Sequence, residues 1–159
     1  MEHNFILRQI GTAHTGEEGF YLAIAPQYRE ALAGLEDFRY INVLWWFSGC
    51  DNSMSREKLW ERKPYVRGPE VLGAFATRTP ERPNPIALSC ARVTHLDRER
   101  GVVGLDYLDA EEGSPVLDLK PYLPSLDRVE RPVMPAWCAH WPDSVEKSGD
   151  FAWEKEFNF

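Results

Sequence analysis

The chain has no long hydrophobic run, few cysteines, no glycine-rich phosphate loop and no excess of basic residues. Each shortage removes a class of protein. The longest strongly apolar stretch, Val43 to Phe47, is far too short to cross a bilayer. The N-terminal Met1-Glu2-His3-Asn4 is not basic and leads into no apolar segment, so no signal peptide is expected. Cys50, Cys90 and Cys138 are isolated and odd in number, which excludes a disulfide scaffold and fits a reducing, cytoplasmic setting. No Gly-x-Gly-x-x-Gly turn follows a strand, so a Rossmann site is not supported. Cys138 and His140 lie two apart without further ligands at a metal-site spacing, and no metal is expected. His3, His14 and His95 are too scattered to nominate a Ser/His/Asp triad.

What is present is an aromatic-rich chain of 159 residues, the size of one domain, with six Trp, six Tyr and eight Phe to fill a core or line a site. Its net charge of −7 argues against a generic nucleic-acid coat. The charge is uneven, however. Arg56 to Arg82 holds seven bases against four acids, whereas fourteen acids oppose seven bases from Asp97 onward. A local positive patch on an acidic body suits one anionic ligand or a short run of phosphodiester. A solvated charged loop is the plainer reading.

Polar, β-branched and aromatic patterning predicts strands at Phe5–Thr12 and Gly19–Ala25, joined by a turn at Thr15-Gly16-Glu17-Glu18. Pro26 opens a helical stretch, Gln27–Leu35, with Leu32 and Leu35 on one stripe and Gly34 as a stop. Tyr40–Phe47 reads as a strand buried on both faces, with Trp45 and Trp46 on opposite sides: one for the core, one for a base or a cation. One or two helical turns are expected at Ser55–Leu59. Further strands are expected at Val71–Thr77, Ile86–Leu96, Gly101–Leu108 and Ser114–Leu119. About seven strands with one or two short helices leave too few crossovers for a parallel sheet. The expected class is therefore mainly β, a small single-sheet barrel whose closure removes exposed edges. The barrel is expected over residues 1–135, with 136–159 a tail packing on it or on a partner subunit.

Two segments invite chemistry. In Thr77-Arg78-Thr79-Pro80-Glu81-Arg82-Pro83-Asn84-Pro85, three prolines fix φ and stiffen a loop that holds two arginines at defined spacing. A guanidinium fork suits a carboxylate or phosphate. The bland reading is a loop that covers a sheet edge. In the second segment, Leu108 to Pro124, a strand at Val116–Lys120 puts Asp118 and Lys120 on one face. On the inward face of a barrel such a pair is costly unless matched or used. A structural ion pair is the competing reading, and Asp109 could equally be a turn-former.

Leu72-Gly73-Ala74-Phe75-Ala76-Thr77-Arg78-Thr79 with Arg82-Pro83-Asn84-Pro85-Ile86-Ala87-Leu88-Ser89 resembles the G-x-F-A-T-R-S…R-P-N-P-I-G-L-S signature of the TrmO (TsaA, YaeB, VirR-like) family. Gly113-Ser114-Pro115-Val116-Leu117-Asp118-Leu119-Lys120-Pro121-Tyr122 is similar to its D-G-T-P-V-x-D-I-K-P-Y element. The likeness runs more loosely from Ile10-Gly11 to about Leu126. It implies a small, usually dimeric barrel that binds S-adenosylmethionine and methylates the exocyclic nitrogen of threonylcarbamoyladenosine beside the tRNA anticodon. By motif position, the resemblance places Arg78, Leu88, Leu108, Asp109, Ser48 and Gly49 against the methyl donor. Where the family has an R-S-P-like turn and a P-R-Q segment after Ile10-Gly11, this chain has Thr12-Ala13-His14-Thr15-Gly16.

The expected activity is thus methyl transfer to tRNA, with S-adenosylmethionine as cofactor, the anticodon stem-loop and a second copy as partners, and no membrane. Arg78 is expected to hold the donor carboxylate and Asp109 its polar groups. Arg82, Asn84, Arg67, Lys63 and Tyr122 are expected to meet the acceptor. Asp118 is expected to orient or deprotonate the acceptor nitrogen, with Lys120 tuning it. The alternatives are a methyltransferase for a small acceptor and a donor- or tRNA-binding module without turnover.

Overall fold

The structure is a computed structural model that describes residues 3–17 and 19–159. Met1, Glu2 and Glu18, the last expected in the first turn, lie outside the described residues. Strands β1 (Gly11–Gly16), β2 (Gly19–Ile24), β3 (Tyr40–Trp46), β6 (Ile86–Asp97), β7 (Val102–Leu105) and β8 (Pro115–Pro121) form a closed antiparallel barrel in the order β1-β2-β7-β6-β3-β8. The mainly β barrel is as expected. The ring has six strands, and β4 (Trp60–Arg62) and β5 (Val71–Gly73) pair with each other as a separate ribbon. Ordered short helices are α1 (Ser53–Glu57), α2 (Pro124–Asp127) and α3 (Val145–Ser148).

Side chains that alternate along each strand fill the barrel. Leu22, Ile41, Val43, Val103, Val116 and Leu108 are fully buried, each worth about 1.5–3 kcal/mol of transfer free energy. In β3 the alternation is regular: Ile41, Val43 and Trp45 point inward, while Tyr40, Asn42, Leu44 and Trp46 are half-buried outside. The strand is therefore buried on one face, not both. Trp45 fills the core, and Trp46 lies under the Arg56 guanidinium at 5.4 Å, the cation contact expected of one of the two.

The segment Phe5–Ile10 is not a strand. Phe5, Ile6 and Leu7 are exposed, and regular pairing begins at Gly11: β8 pairs with β1 only at Gly11 and Thr12 and bulges at Leu117 just beyond that register. The Gln27–Leu35 stretch is a 3-10 helix over Pro26–Leu32 that buries Leu32, followed by Gly34 at φ 83° and a second 3-10 turn at Leu35–Asp37. Val71–Thr77 is strand only to Gly73, after which Ala74–Ala76 turns back as a 3-10 helix.

A bulge decides where β8 points its charges. Leu44 faces Asp118 and Trp45 faces Val116, so Leu117 is the extra residue. Leu119, opposite inward Val43, packs on the core, whereas Asp118 and Lys120 face outward and pair with each other at 2.8 Å. Asp118 and Lys120 share one face as expected, and the bulge makes it the outer one, so the two form the ion pair of the competing reading in solvent rather than inside the barrel.

Residues 136–159 fold back over the loop of the β4–β5 ribbon. Tyr65 stacks on Trp137 at 5.1 Å and meets Trp141 edge-on. Trp153 and Phe157 extend the cluster. The Val66 and Asn158 amides donate to the Glu156 and Pro64 carbonyls. Glu156, 7% exposed, accepts bonds from Trp141 Nε1 (3.1 Å) and His140 Nε2 (2.8 Å), which hold its carboxyl below the ordinary glutamate range.

Candidate functional site

The Thr77–Pro85 loop is fixed by bonds as well as by proline. The Thr77 hydroxyl donates to the Ala74 carbonyl at 3.0 Å. Arg82 Nη2 donates to the Ala74 and Thr77 carbonyls at 2.6 and 3.0 Å. From outside the loop, Arg56 Nη1 donates to the Pro83 carbonyl at 2.8 Å, and Lys58 bridges Glu61 and Glu81. Those two carboxylates raise the Lys58 pKa, Glu81 first. The Thr79 hydroxyl reaches Glu61 at 3.2 Å. Pro85 is buried, and its carbonyl receives the Phe47 amide at 2.9 Å, which ties the loop to the end of β3.

Arg78 is the arginine this scaffold leaves outward. Its guanidinium is exposed and donates to the Leu88 carbonyl at 3.2 Å. The Asp109 turn, between β7 and β8, reaches the same cleft. It is anchored where Asp106 accepts the Arg92 and Tyr107 amides and where Leu108, 2% exposed, enters the core. Gly113 closes the turn at φ 83°, a conformation L side chains rarely adopt. Leu108 inward sends Asp109 outward, and its charge adds to burial in pushing up the Tyr107 hydroxyl.

Arg78 and Asp109, thirty-one positions apart in the chain, line one cleft of about 510 Å³. Arg82, Asn84 and Leu88 line it too. Trp45, Phe47 and Phe75 supply aromatic walls, Trp45 meeting Phe47 edge-on at 4.5 Å and donating from Nε1 to Ser89 at 3.0 Å. Within that shared hollow Arg82 is a brace: its Nη2 is committed to backbone, and its Nε is buried without an acceptor. Sequence patterning offers one of Trp45 and Trp46 for a base and the resemblance puts the end of the Tyr40–Phe47 strand at the donor, but neither nominates Ser89 or Phe75 for the cleft. Phe75 is 84% exposed at the cleft, and its place in the Leu72–Thr79 motif, three residues before Arg78, was the readable signal.

Other nominated residues stand elsewhere. Leu108 serves the core and reaches the cleft only through its neighbour. Ser48 and Gly49 form a 3-10 turn just past Phe47. Burial, then the charges of Glu81 and Glu111, push up the thiol of Cys50 in the same turn. Lys63 has φ 46°, and its Nζ donates to the Gly68 carbonyl at 2.7 Å, closing the ribbon loop. Arg67 is exposed on the same loop, and Tyr122 donates its amide to Tyr40 at the end of β8. None of these three lines the cleft. Asp118 lies in the outer row Leu88–Leu44–Asp118, two strand spacings from Leu88, roughly 10 Å. Much of the basic run is thus spent on architecture, since Arg56, Lys58, Lys63 and Arg82 all bond within the protein. Among the described residues no cluster of three His, Cys, Asp or Glu could hold a metal, and no helix is long and apolar enough to cross a membrane.

With this geometry in view, the profile of the family described as tRNA-methyltransferase O N-terminal domain matches residues 8–128. The chain belongs to the TrmO family. An S-adenosyl-L-methionine-binding protein of Archaeoglobus fulgidus is 38% identical over 110 residues, 69% of this chain and 73% of its own length. A tRNA (adenine(37)-N6)-methyltransferase of Eikenella corrodens is 39% identical over 101 residues, 61% of this chain and 53% of the relative. A crystal structure of TrmO superposes with a TM-score of 0.64 at 28% identity, covering 84% of this chain and 64% of that one. The chain therefore spans about half to three quarters of the length of these relatives.

Proposed function

We propose that the cleft binds S-adenosylmethionine and that the protein transfers its methyl group to the exocyclic nitrogen of an adenine in tRNA. The observation that carries this reading is the convergence of an outward arginine and an outward aspartate, from two separately braced loops, on one aromatic-walled cleft. The chemistry of the residues fits the donor. Arg78 suits the carboxylate, Asp109 the cationic amino-acid end, and Trp45, Phe47 and Phe75 the purine. The volume is in the range of small-ligand sites, about 300–1,000 Å³. When bound, the donor supplies an electrophilic methyl group, so the protein's part is to orient it, align the acceptor and exclude water. The relatives named as donor-binding proteins and as a tRNA methyltransferase support the same reading.

The finer reading is that the acceptor adenine carries a threonylcarbamoyl group, that Asn84 at the cleft rim meets it, and that Arg67 on the ribbon meets phosphate. The working unit in this reading is a homodimer. The test is transfer of label from methyl-labelled S-adenosylmethionine to tRNA with and without that group. Incorporation into the modified tRNA alone is expected. No incorporation into any tRNA, with donor bound, refutes the tRNA half of the proposal. Unchanged donor affinity in Arg78→Ala, read by calorimetry, refutes the donor pose.

A further inference from the structure

The Asp109 turn is pinned at its far end by a side chain that has no part in the cleft. Glu112 accepts from the Thr15 amide at 2.7 Å through Oε2 and meets His14 Nδ1 at 2.6 Å through Oε1. His14 is itself held flat against Tyr21, ring centroids 4.6 Å apart and planes within 16°. Two backbone bonds, Gly113 amide to Ala13 carbonyl and Ala13 amide to Ser114 carbonyl, run alongside at 2.9 Å each. The carboxylate therefore clips the turn to β1, and the Thr15 amide, with His14 adding, keeps its pKa below the ordinary glutamate range.

Between Leu108 in the core and Glu112 on β1 only Asp109, Ala110 and Glu111 are left to span the gap. Asp109 lies next to one anchor and three residues from the other. Freeing Glu112 leaves the Gly113–Ala13 backbone bond as the outer anchor, lengthens the free span by one residue and lowers the fraction of time the Asp109 carboxylate spends in the cleft. The geometry points to His14 and Glu112 as positioning residues that hold Asp109 at the donor site by clipping its turn to β1. This rests on the donor reading above for its functional consequence, but not for the anchoring itself.

The two parts are tested separately. Hydrogen–deuterium exchange reads anchoring without any ligand. Glu112→Ala and His14→Phe, the latter keeping the ring on Tyr21, are expected to speed exchange at the Gly113 and Ser114 amides, which donate to the Ala13 and Glu111 carbonyls, while β2, β3, β6 and β7 stay protected. Calorimetry with S-adenosylmethionine then reads function. Either variant is expected to weaken binding about two- to five-fold, the range an exposed ion pair commands, with Glu112→Gln in between because its amide oxygen still accepts one bond. In an Asp109→Asn background, Glu112→Ala is expected to add no further loss, since a positioning residue acts only through the group it positions. Unchanged exchange in both variants overturns the inference, as does a Glu112→Ala loss that adds in full to that of Asp109→Asn. Wild-type protein that binds no donor while the variants still loosen the turn overturns the donor reading alone.

Discussion

Replacing each arginine of the proline loop in turn separates a brace from a ligand contact. In Arg82→Ala the Ala74 carbonyl keeps the Thr77 hydroxyl and amide, whereas the Thr77 carbonyl loses the Arg82 donor. Hydrogen bonds from a charged donor are worth about 1.5–3 kcal/mol each, so two make roughly 3–6. Removing Nε, which is buried without an acceptor, returns about 1–3 kcal/mol. The difference spans about 0–5 kcal/mol and centres on about 2.5, which for a chain of this size lowers the melting temperature by roughly 5–10 °C. Arg78→Ala gives up one exposed bond at 3.2 Å and is expected to change stability by less than about 0.5 kcal/mol. Differential scanning calorimetry paired with donor titration reads both axes. Arg82→Ala should melt early, and Arg78→Ala should melt with wild type but lose donor affinity. If Arg82→Ala melted with wild type and lost donor binding as fully as Arg78→Ala, Arg82 would be a ligand contact and the brace argument would be wrong.

Leu108→Ala empties a fully buried site and is expected to cost about 2–5 kcal/mol, read by chemical denaturation, with donor affinity falling because Asp109 loses its inner anchor. Asp118→Asn should leave methyl transfer within about two-fold of wild type, as a surface change outside the cleft does; a collapse of the turnover rate with donor affinity intact would restore Asp118 as the base. Glu156 carries a depressed pKa in the folded state, so its contribution to tail docking is complete above the ordinary glutamate range and disappears as pH falls through the lower folded value. Tryptophan fluorescence of the Trp137–Trp141–Trp153 cluster is expected to show that acid step, and Glu156→Gln is expected to abolish it.

The barrel was legible because its strands carry strong local signals: β-branched and aromatic runs bounded by polar or glycine-bearing turns. The first strand was misplaced because Phe5, Ile6 and Leu7 have β-forming side chains but no neighbour to pair with. The face of Asp118 was unreadable for a different reason. One bulged residue, Leu117, resets the alternation after Val116, and nothing local announces a bulge set by the partner strand. In the site, proline stiffness marked the right loop, and the two motifs gave Arg78 and Asp109. They could not say which arginine would be spent on carbonyls. The phosphate-gathering roles expected of Lys63 and Arg82 rested on formal charge, and formal charge does not show that a side chain already has a partner.

The proline loop is held by Arg82, Arg56 and Lys58 whether or not anything occupies the cleft. Small molecules should therefore dock into an essentially rigid receptor, with backbone shifts on the order of 1 Å or less. Crystals grown without additives should tolerate soaking, and fragment screening by diffraction becomes a practical route to inhibitors that reach Arg78 from outside.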